Sequence, residues 1–345
     1  MKRARSLALL PSVLVVGLIG AGCGQVPPAS MSEPTAAPST VEAVPTLAPS
    51  TAVPTLAPSP AVPSEGSSTT FAIIGDYGRD NDTAAAVAGR VDSWDPAFVI
   101  SVGDGYYAKA GGKGTAKYDE STGAHYCRWL AGITTTGERC PTGLAQQNAF
   151  FPTMGNHDYT DARPSPDTYL TYFDLPGDGL VSSSGNERYY DYVRGPVHFF
   201  VLNSNGQETE GIGSTSSQAQ WLQAQLTAST SAWNIVYDHH PPYSSDADHG
   251  STQQLQWPFA EWGADAVISG HAHTYERIMR DGIVYFVNGL GGSPHDDFTT
   301  PVRGSVVRYN DGWGAQKVTA TPAALTFEFF DVDGSLIDSH TLTAA

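Results

Sequence analysis

Positive charge is scarce in this chain. It carries 18 lysines and arginines against 35 aspartates and glutamates, a formal net charge of -17. A surface that acidic repels nucleic acid and anionic lipid at long range, which argues against a nucleic-acid-binding protein. Cysteine is scarce as well: there are three, none in a Cys-x-x-Cys pair, so a thiolate metal site is disfavoured. The apolar run from Leu7 to Ile19 is too short for a comfortable membrane span. Residues 1–68 hold three bases (Lys2, Arg3, Arg5) and three acids (Glu33, Glu42, Glu65), so the negative charge belongs to the remainder. Anionic substrates must then be attracted by something local, and bound cations are the obvious candidate.

Hydrophobic residues make up 40% of the chain, enough for a substantial core, but they are unevenly spread. Lys2, Arg3 and Arg5, the run Leu7 to Ile19 and the small residues after it follow the charged, apolar, small order of an export signal. Gly20-Ala21-Gly22-Cys23 looks like a bacterial lipobox, with Gly20 where that pattern prefers Leu. Residues 1–23 are therefore read as a signal peptide with a lipid site at Cys23, making an exported cell-surface or periplasmic lipoprotein. The alternative is ordinary cleavage and secretion, and the only expected membrane contact is that lipid anchor. Residues 24–68, rich in Pro, Ala, Ser and Thr, with Val44 to Pro49 nearly repeated at Val53 to Pro58, cannot offset their ordering entropy. They read as an extended spacer before a domain at 69–345. With Cys23 lipidated, Cys127 and Cys140 are left as an even pair. An oxidising compartment favours joining them, two separate buried thiols being the alternative.

The domain opens on a strand, Thr70 to Ile74, followed by helical spacing from Ala84 to Trp94 and a second strand, Ala97 to Val102. This is a βαβ unit, so the fold class is α/β, with helices covering the sheet. Residues 105–148 read as an inserted loop region. Phe150 to Met154 leads into Gly155, Arg188 to Val193 and Val197 to Leu202 alternate like paired strands, and a helix spans about Gln218 to Ala228. A strand at Trp233 to Tyr237, a helix from Thr252 to Trp262 and a strand at Ala266 to Ser269 come next. Leu325 to Phe330 and Leu336 to Leu342 are expected as strands joined by a turn at Asp331 to Gly334. Trp94, Phe98, Phe151, Trp221 and Phe329 are expected in the core.

Residues able to bind metal recur directly after apolar strands: Asp76, Asp104, Asn156, His239, and His271 with His273. In open α/β sheets ligands bind at the carboxyl ends of strands, so these positions are expected to meet on one rim. Singly each is weak, because Gly-Asp after a strand is more often a turn or a helix cap. Together and in order they are Gly75-Asp76-Tyr77-Gly78, Gly103-Asp104-Gly105-Tyr106-Tyr107, Gly155-Asn156-His157-Asp158, Val236-Tyr237-Asp238-His239 and Gly270-His271-Ala272-His273.

That series resembles the calcineurin-like metallophosphoesterases over roughly residues 70–295. Tyr107, three residues after Asp104, and the extension Thr274-Tyr275-Glu276-Arg277 look like the purple acid phosphatase branch. The resemblance implies two packed mixed β-sheets flanked by helices and two metal ions. Asp76, Asp104, Tyr107 and His273 would hold the first ion; Asp104, Asn156, His239 and His271 would hold the second, with Asp104 bridging. Oxygen donors suit ferric iron, while two imidazoles and an amide oxygen suit divalent Fe, Zn or Mn. The implied activity is hydrolysis of phosphate monoesters of small molecules by attack of a metal-bound hydroxide. His157 would act at the leaving-group oxygen, and His249, in Asp248-His249-Gly250, is the second candidate to face substrate. His240 reads as a support behind the ligands and Arg277 as an ion-pair partner, and His125, His198 and His295 carry no spacing signal. A phosphodiesterase or nucleotide-directed hydrolase of the same fold, or a non-catalytic metal-binding module, are the alternatives.

Overall fold

The structure, a computed structural model, describes residues 68–107, 114–133, 140, 143–159 and 165–344. The expected signal peptide, the lipid site at Cys23 and all of the spacer up to residue 67 lie outside the described residues. Among the described residues no helix is long and apolar enough to cross a membrane.

The strands in chain order are β1 (Thr69–Ile74), β2 (Phe98–Ser101), β3 (Phe150–Pro152), β4 (Tyr190–Arg194), β5 (Val197–Val201), β6 (Trp233–Tyr237), β7 (Ala266–Ser269), β8 (Tyr275–Arg280), β9 (Ile283–Asn288), β10 (Ser305–Tyr309), β11 (Gly314–Ala320), β12 (Ala324–Asp331) and β13 (Leu336–Thr343). They form two mixed sheets, one in the order β13-β12-β11-β1-β2-β3 and the other β10-β8-β9-β7-β6-β5-β4. β1, β2 and β3 are parallel, as are β5, β6, β7 and β9.

The period of two along each strand divides the core. On β5, Phe199 points between the sheets, its ring 5.2 Å from Phe71 and 5.5 Å from Phe98. The alternate residues Phe200 and Leu202 pack outward with Leu222 and Leu226 of the helix Ser217–Ala228. β6 repeats the pattern, with Ile235 and Tyr237 inside and Val236 outside. Helix α1 (Asp82–Ser93) starts where the Asn81 side chain accepts from the amide of Ala84, and it buries Ala84, Val87, Ala88 and Val91. The strands thereby acquire a fixed direction, and the loops that leave β1, β2, β3, β6 and β7 gather at one rim.

Several expectations change. The helix from Thr252 to Trp262 is a 3-10 turn at Gln253–Leu255 and a short helix at Phe259–Trp262. Pro258 lacks an N–H and disfavours helix at Trp257, which breaks the run. Within the inserted region residues 116–126 are helical rather than loop, from Ala116–Tyr118 through a π turn at Asp119–Gly123 to Ala124–Tyr126. Its aromatic residues Tyr118, Tyr126 and Trp129 are buried, and that burial holds it against the sheet. Cys127 and Cys140 are joined in a disulfide. Phe98, Phe151 and Phe329 are in the core, whereas Trp94 and Trp221 are only partly buried at its margins. β8 to β11 had no counterpart among the strands expected from the sequence.

Candidate metal centre

Four of the five motifs open on a glycine, at Gly75, Gly103, Gly155 and Gly270, because a neighbouring loop needs the space. A Cβ on Gly155 would meet Asp104 Oδ1 at 2.1 Å, and one on Gly270 would meet Asp76 Oδ2 at 2.6 Å. Three of the donors beside them are held in backbone conformations that side chains seldom take: Asp76 (φ 57°), Asp104 (φ 53°) and His271 (φ 68°) are all left-handed. Such conformations cost about 1–3 kcal/mol each and persist only where the surroundings over-determine them.

Hydrogen bonds across the rim fix the side chains. Asp76 Oδ2 accepts from the amide of His271 (2.9 Å) and Oδ1 from the hydroxyl of Tyr107 (3.2 Å). Asp104 Oδ1 accepts from the amide of His157 (2.9 Å). His239 Nδ1 lies 2.8 Å from the carbonyl of Val102, which can only accept, so Nδ1 carries the proton and Nε2 presents a lone pair. That lone pair faces Asn156 Oδ1 at 2.9 Å and Asp104 Oδ1 at 3.4 Å. Tyr107 Oη is 3.2 Å from His273 Nε2, and the rings of His239 and His271 are 5.0 Å apart.

All seven residues expected to hold metal thus face one small volume. The two expected to face substrate are there too: the His157 ring is 4.5 Å from that of Tyr107, and the His249 ring is 4.1 Å from that of His271. His157 and His249 are both exposed. The loop of His249 is pinned by Asp246 Oδ1, which accepts from the amides of Asp248 (2.9 Å) and His249 (2.7 Å).

The cluster is rich in acceptors and buried, and its protonation preferences reflect that. Burial, then repulsion from Asp104, holds the Asp76 carboxyl well above its ordinary range, and burial raises Asp104 as well. Burial pushes His239 down to about 3 and His273 to about 4, and it lowers His271 also. Carboxylates that resist ionising and imidazoles that resist protonation are the response of donor atoms to one another in a dry site. A cation between them reverses the cost for the carboxylates and uses the free imidazole lone pairs. Donor atoms of Asp76, Asp104 and His239 lie within 4.8 Å of one another, as do those of His239, His240 and His271. The residues present therefore fit bound metal.

Four contributors were given no role in the sequence analysis. Asp158 Oδ2 accepts from the amides of Asp104 (3.1 Å) and Gly155 (2.7 Å), and Oδ1 accepts from Tyr118 Oη (2.9 Å), tying three segments together. Asp296 Oδ2 accepts from the amide of His273 (2.9 Å) and lies 3.6 Å from His249 Nε2. Arg79 stands over the Tyr107 ring, 4.6 Å from its centroid, with Nε donating to Ser293 Oγ at 3.2 Å. Ser204 lies under His239 and His240. Asp158 was visible inside Gly-Asn-His-Asp and Arg79 directly follows Gly78 of the first motif, but Ser204 and Asp296 have no spacing signal, because loops distant in sequence bring them in. Arg277 pairs with Asp338 at 2.7 Å, His198 pairs with Asp191 at 2.9 Å, and the His295 ring lies 4.3 Å from that of Trp313.

A model of the calcineurin-like phosphoesterase family matches residues 69–275. The chain is 28% identical over 251 residues to a phosphoenolpyruvate phosphatase of Allium cepa, covering 68% of this chain and 47% of that one. It is 26% identical over 254 residues to purple acid phosphatase 23 of Arabidopsis thaliana, covering 64% and 52%. This chain therefore spans about half the length of both plant relatives. The structure of a purple acid phosphatase isolated from yellow lupin (Lupinus luteus) seeds shares the fold, with a TM-score of 0.61 at 18% identity over 81% of this chain and 55% of that one.

Proposed function

Since this chain belongs to the calcineurin-like phosphoesterase family, we propose that it is an exported phosphatase that hydrolyses phosphate monoesters of small molecules at a two-metal centre. The observation that carries this reading is the contact of His239 Nε2 with Asn156 Oδ1 at 2.9 Å, two acceptors with no proton between them beside two buried carboxylates. The names of the plant relatives, both phosphatases, support the monoester reading. Export rests on the order of residues 1–23 and fits the disulfide.

In this reading Asp76, Asp104, Tyr107 and His273 hold one ion, and Asp104, Asn156, His239 and His271 hold the other. Two ions would supply Lewis-acid stabilisation of phosphoryl oxygens and a water of lowered pKa. The chain's own groups do the rest. His157, exposed beside Tyr107, gives a proton to the departing ester oxygen. His249, set by Asp246 and facing Asp296, holds the phosphoryl group in place. Asp158 and the backbone amides of His157 and His271 keep the carboxylates aimed, so little reorganisation is needed when charge develops.

The test is metal analysis of the natively produced protein with a panel of phosphomonoesters, diesters and nucleotides. Two metals per chain and a preference for monoesters are expected; turnover of diesters alone would replace this reading with the phosphodiesterase one. The Tyr107 phenolate implies ferric iron at the first position and a visible absorption band that Tyr107→Phe removes. A colourless, fully active protein containing only zinc or manganese would overturn the iron assignment.

A further inference from the structure

His240 is a third imidazole at the rim, its ring 4.4 Å from that of His271 and 4.9 Å from that of His239. By distance alone one of its nitrogens belongs with the donor atoms of those two residues. The hydrogen bonds beneath it decide otherwise. Ser204 Oγ accepts from the backbone amides of His239 (3.2 Å) and His240 (2.9 Å), and it lies 2.8 Å from His240 Nδ1. A hydroxyl oxygen has two lone pairs and one proton. Both lone pairs are taken by amides that can only donate, so the hydroxyl proton goes to Nδ1. The reverse assignment would press three N–H donors onto one oxygen and leave its own proton without an acceptor in a buried place, which is unfavourable.

We propose that His240 is locked by Ser204 in the tautomer with its proton on Nε2, and that it serves as a hydrogen-bond donor to an oxygen of the bound phosphoryl group, not as a metal ligand. A neutral imidazole whose Nδ1 accepts must carry its proton on Nε2, where no lone pair remains for a metal. His239, one residue earlier, is set in the opposite tautomer by the carbonyl of Val102. Two adjacent histidines thus have different roles, chosen by one carbonyl and one hydroxyl. The lock stands on geometry alone, and the donor role rests on the proposed phosphatase function.

The lock is read first, on the unmodified protein, from the long-range nitrogen–proton spectrum of its imidazoles, metal-free and loaded with zinc. A protonated Nε2 and unprotonated Nδ1 at His240 in both states are expected; a proton on Nδ1, or a zinc-shifted Nε2, overturns the proposal. Zinc stoichiometry and affinity are then measured for His240→Ala and His240→Gln, with inorganic phosphate as the probe of anion binding. Both variants should bind two zinc ions with affinity within about threefold of the parent. His240→Ala should weaken phosphate binding and lower kcat/KM by about 10- to 100-fold, as loss of a supporting donor does, and His240→Gln, whose side-chain amide can donate from a similar position, should recover most of it. Loss of a zinc ion in either variant makes His240 a ligand, and unchanged phosphate affinity in His240→Ala removes the donor role. If the parent protein cleaves no phosphate ester, the phosphatase reading falls, while the spectrum and zinc count still decide the tautomer.

Discussion

The strands and the loops at their carboxyl ends are both buried, for opposite reasons. Phe71 to Ile74 are fully buried in extended conformation, every side chain apolar and packed in the core, with Phe71 against Phe199 of the facing sheet. Each contributes about 1.5–3 kcal/mol by leaving water, Ala72 less. Two residues on, Asp76 is equally buried but charged in its useful state, left-handed, and accepting from only two groups. Its burial is a cost of several kcal/mol that packing does not offset. The difference teaches that the sheets are built to be stable without any ligand, whereas the rim is built to be completed by one.

That contrast breaks most sharply at the rim donors. His271→Ala or Asn156→Ala should lower turnover by about 100-fold or more, at least the upper end of what loss of an outer-shell partner costs, and lower bound metal, with the thermal transition of the metal-free protein nearly unchanged. Retained turnover with full metal content would remove these residues from the centre. Asp158→Asn should lower kcat/KM by about 10- to 100-fold with both metals still bound, because it weakens the tie between the Asp104 and Gly155 loops without removing a donor atom. The converse test lies in the strands. Phe327, in β12, is 1% exposed and in the core shared by the sheets. Phe327→Ala should cost about 3–5 kcal/mol in denaturant unfolding, with kcat per folded molecule unchanged; a fall in kcat instead would mean that the rim is not independent of the sheets.

The smallest effect concerns Asp238, at the junction of strand and rim. It is fully buried, Ser269 Oγ donates to its Oδ1, and burial pushes its carboxyl up to about 8. Unfolded, the same group titrates near 3.9. Between about pH 4 and 8 the folded chain therefore keeps a proton that the unfolded chain releases, so stability is present at the acid end and is lost as pH rises. Metal-free protein should lose a few degrees of Tm relative to Asp238→Asn across that window. Bound metal, a local positive charge, should flatten the difference. Parallel pH profiles for the two metal-free proteins would show that Asp238 does not retain the proton.

Much of this was legible in the chain. The strands that carry the centre were marked by apolar runs, and the donors by the polar residues that end each run, because strand and ligand are neighbours in sequence. The missed strands β8 to β11 and the broken helix before Trp262 have other causes. β9 is a buried apolar run as legible as β7, whereas β8, β10 and β11 interleave charged or polar residues with apolar ones and so do not stand out from loop, and the helix turns on one proline within an otherwise helical pattern.

Sequence by itself determined which residues could donate to a metal, where the glycines that admit them stand, and that the acid excess calls for local cations. Tertiary structure alone decided the tautomers of His239 and His240, the ties made by Asp158 and Asp296, and the place of Arg79 over Tyr107. Those depend on a carbonyl, a hydroxyl or a carboxylate arriving from a distant loop within about 3 Å or a little more, and a hydrogen bond is too short in range to be written into local pattern.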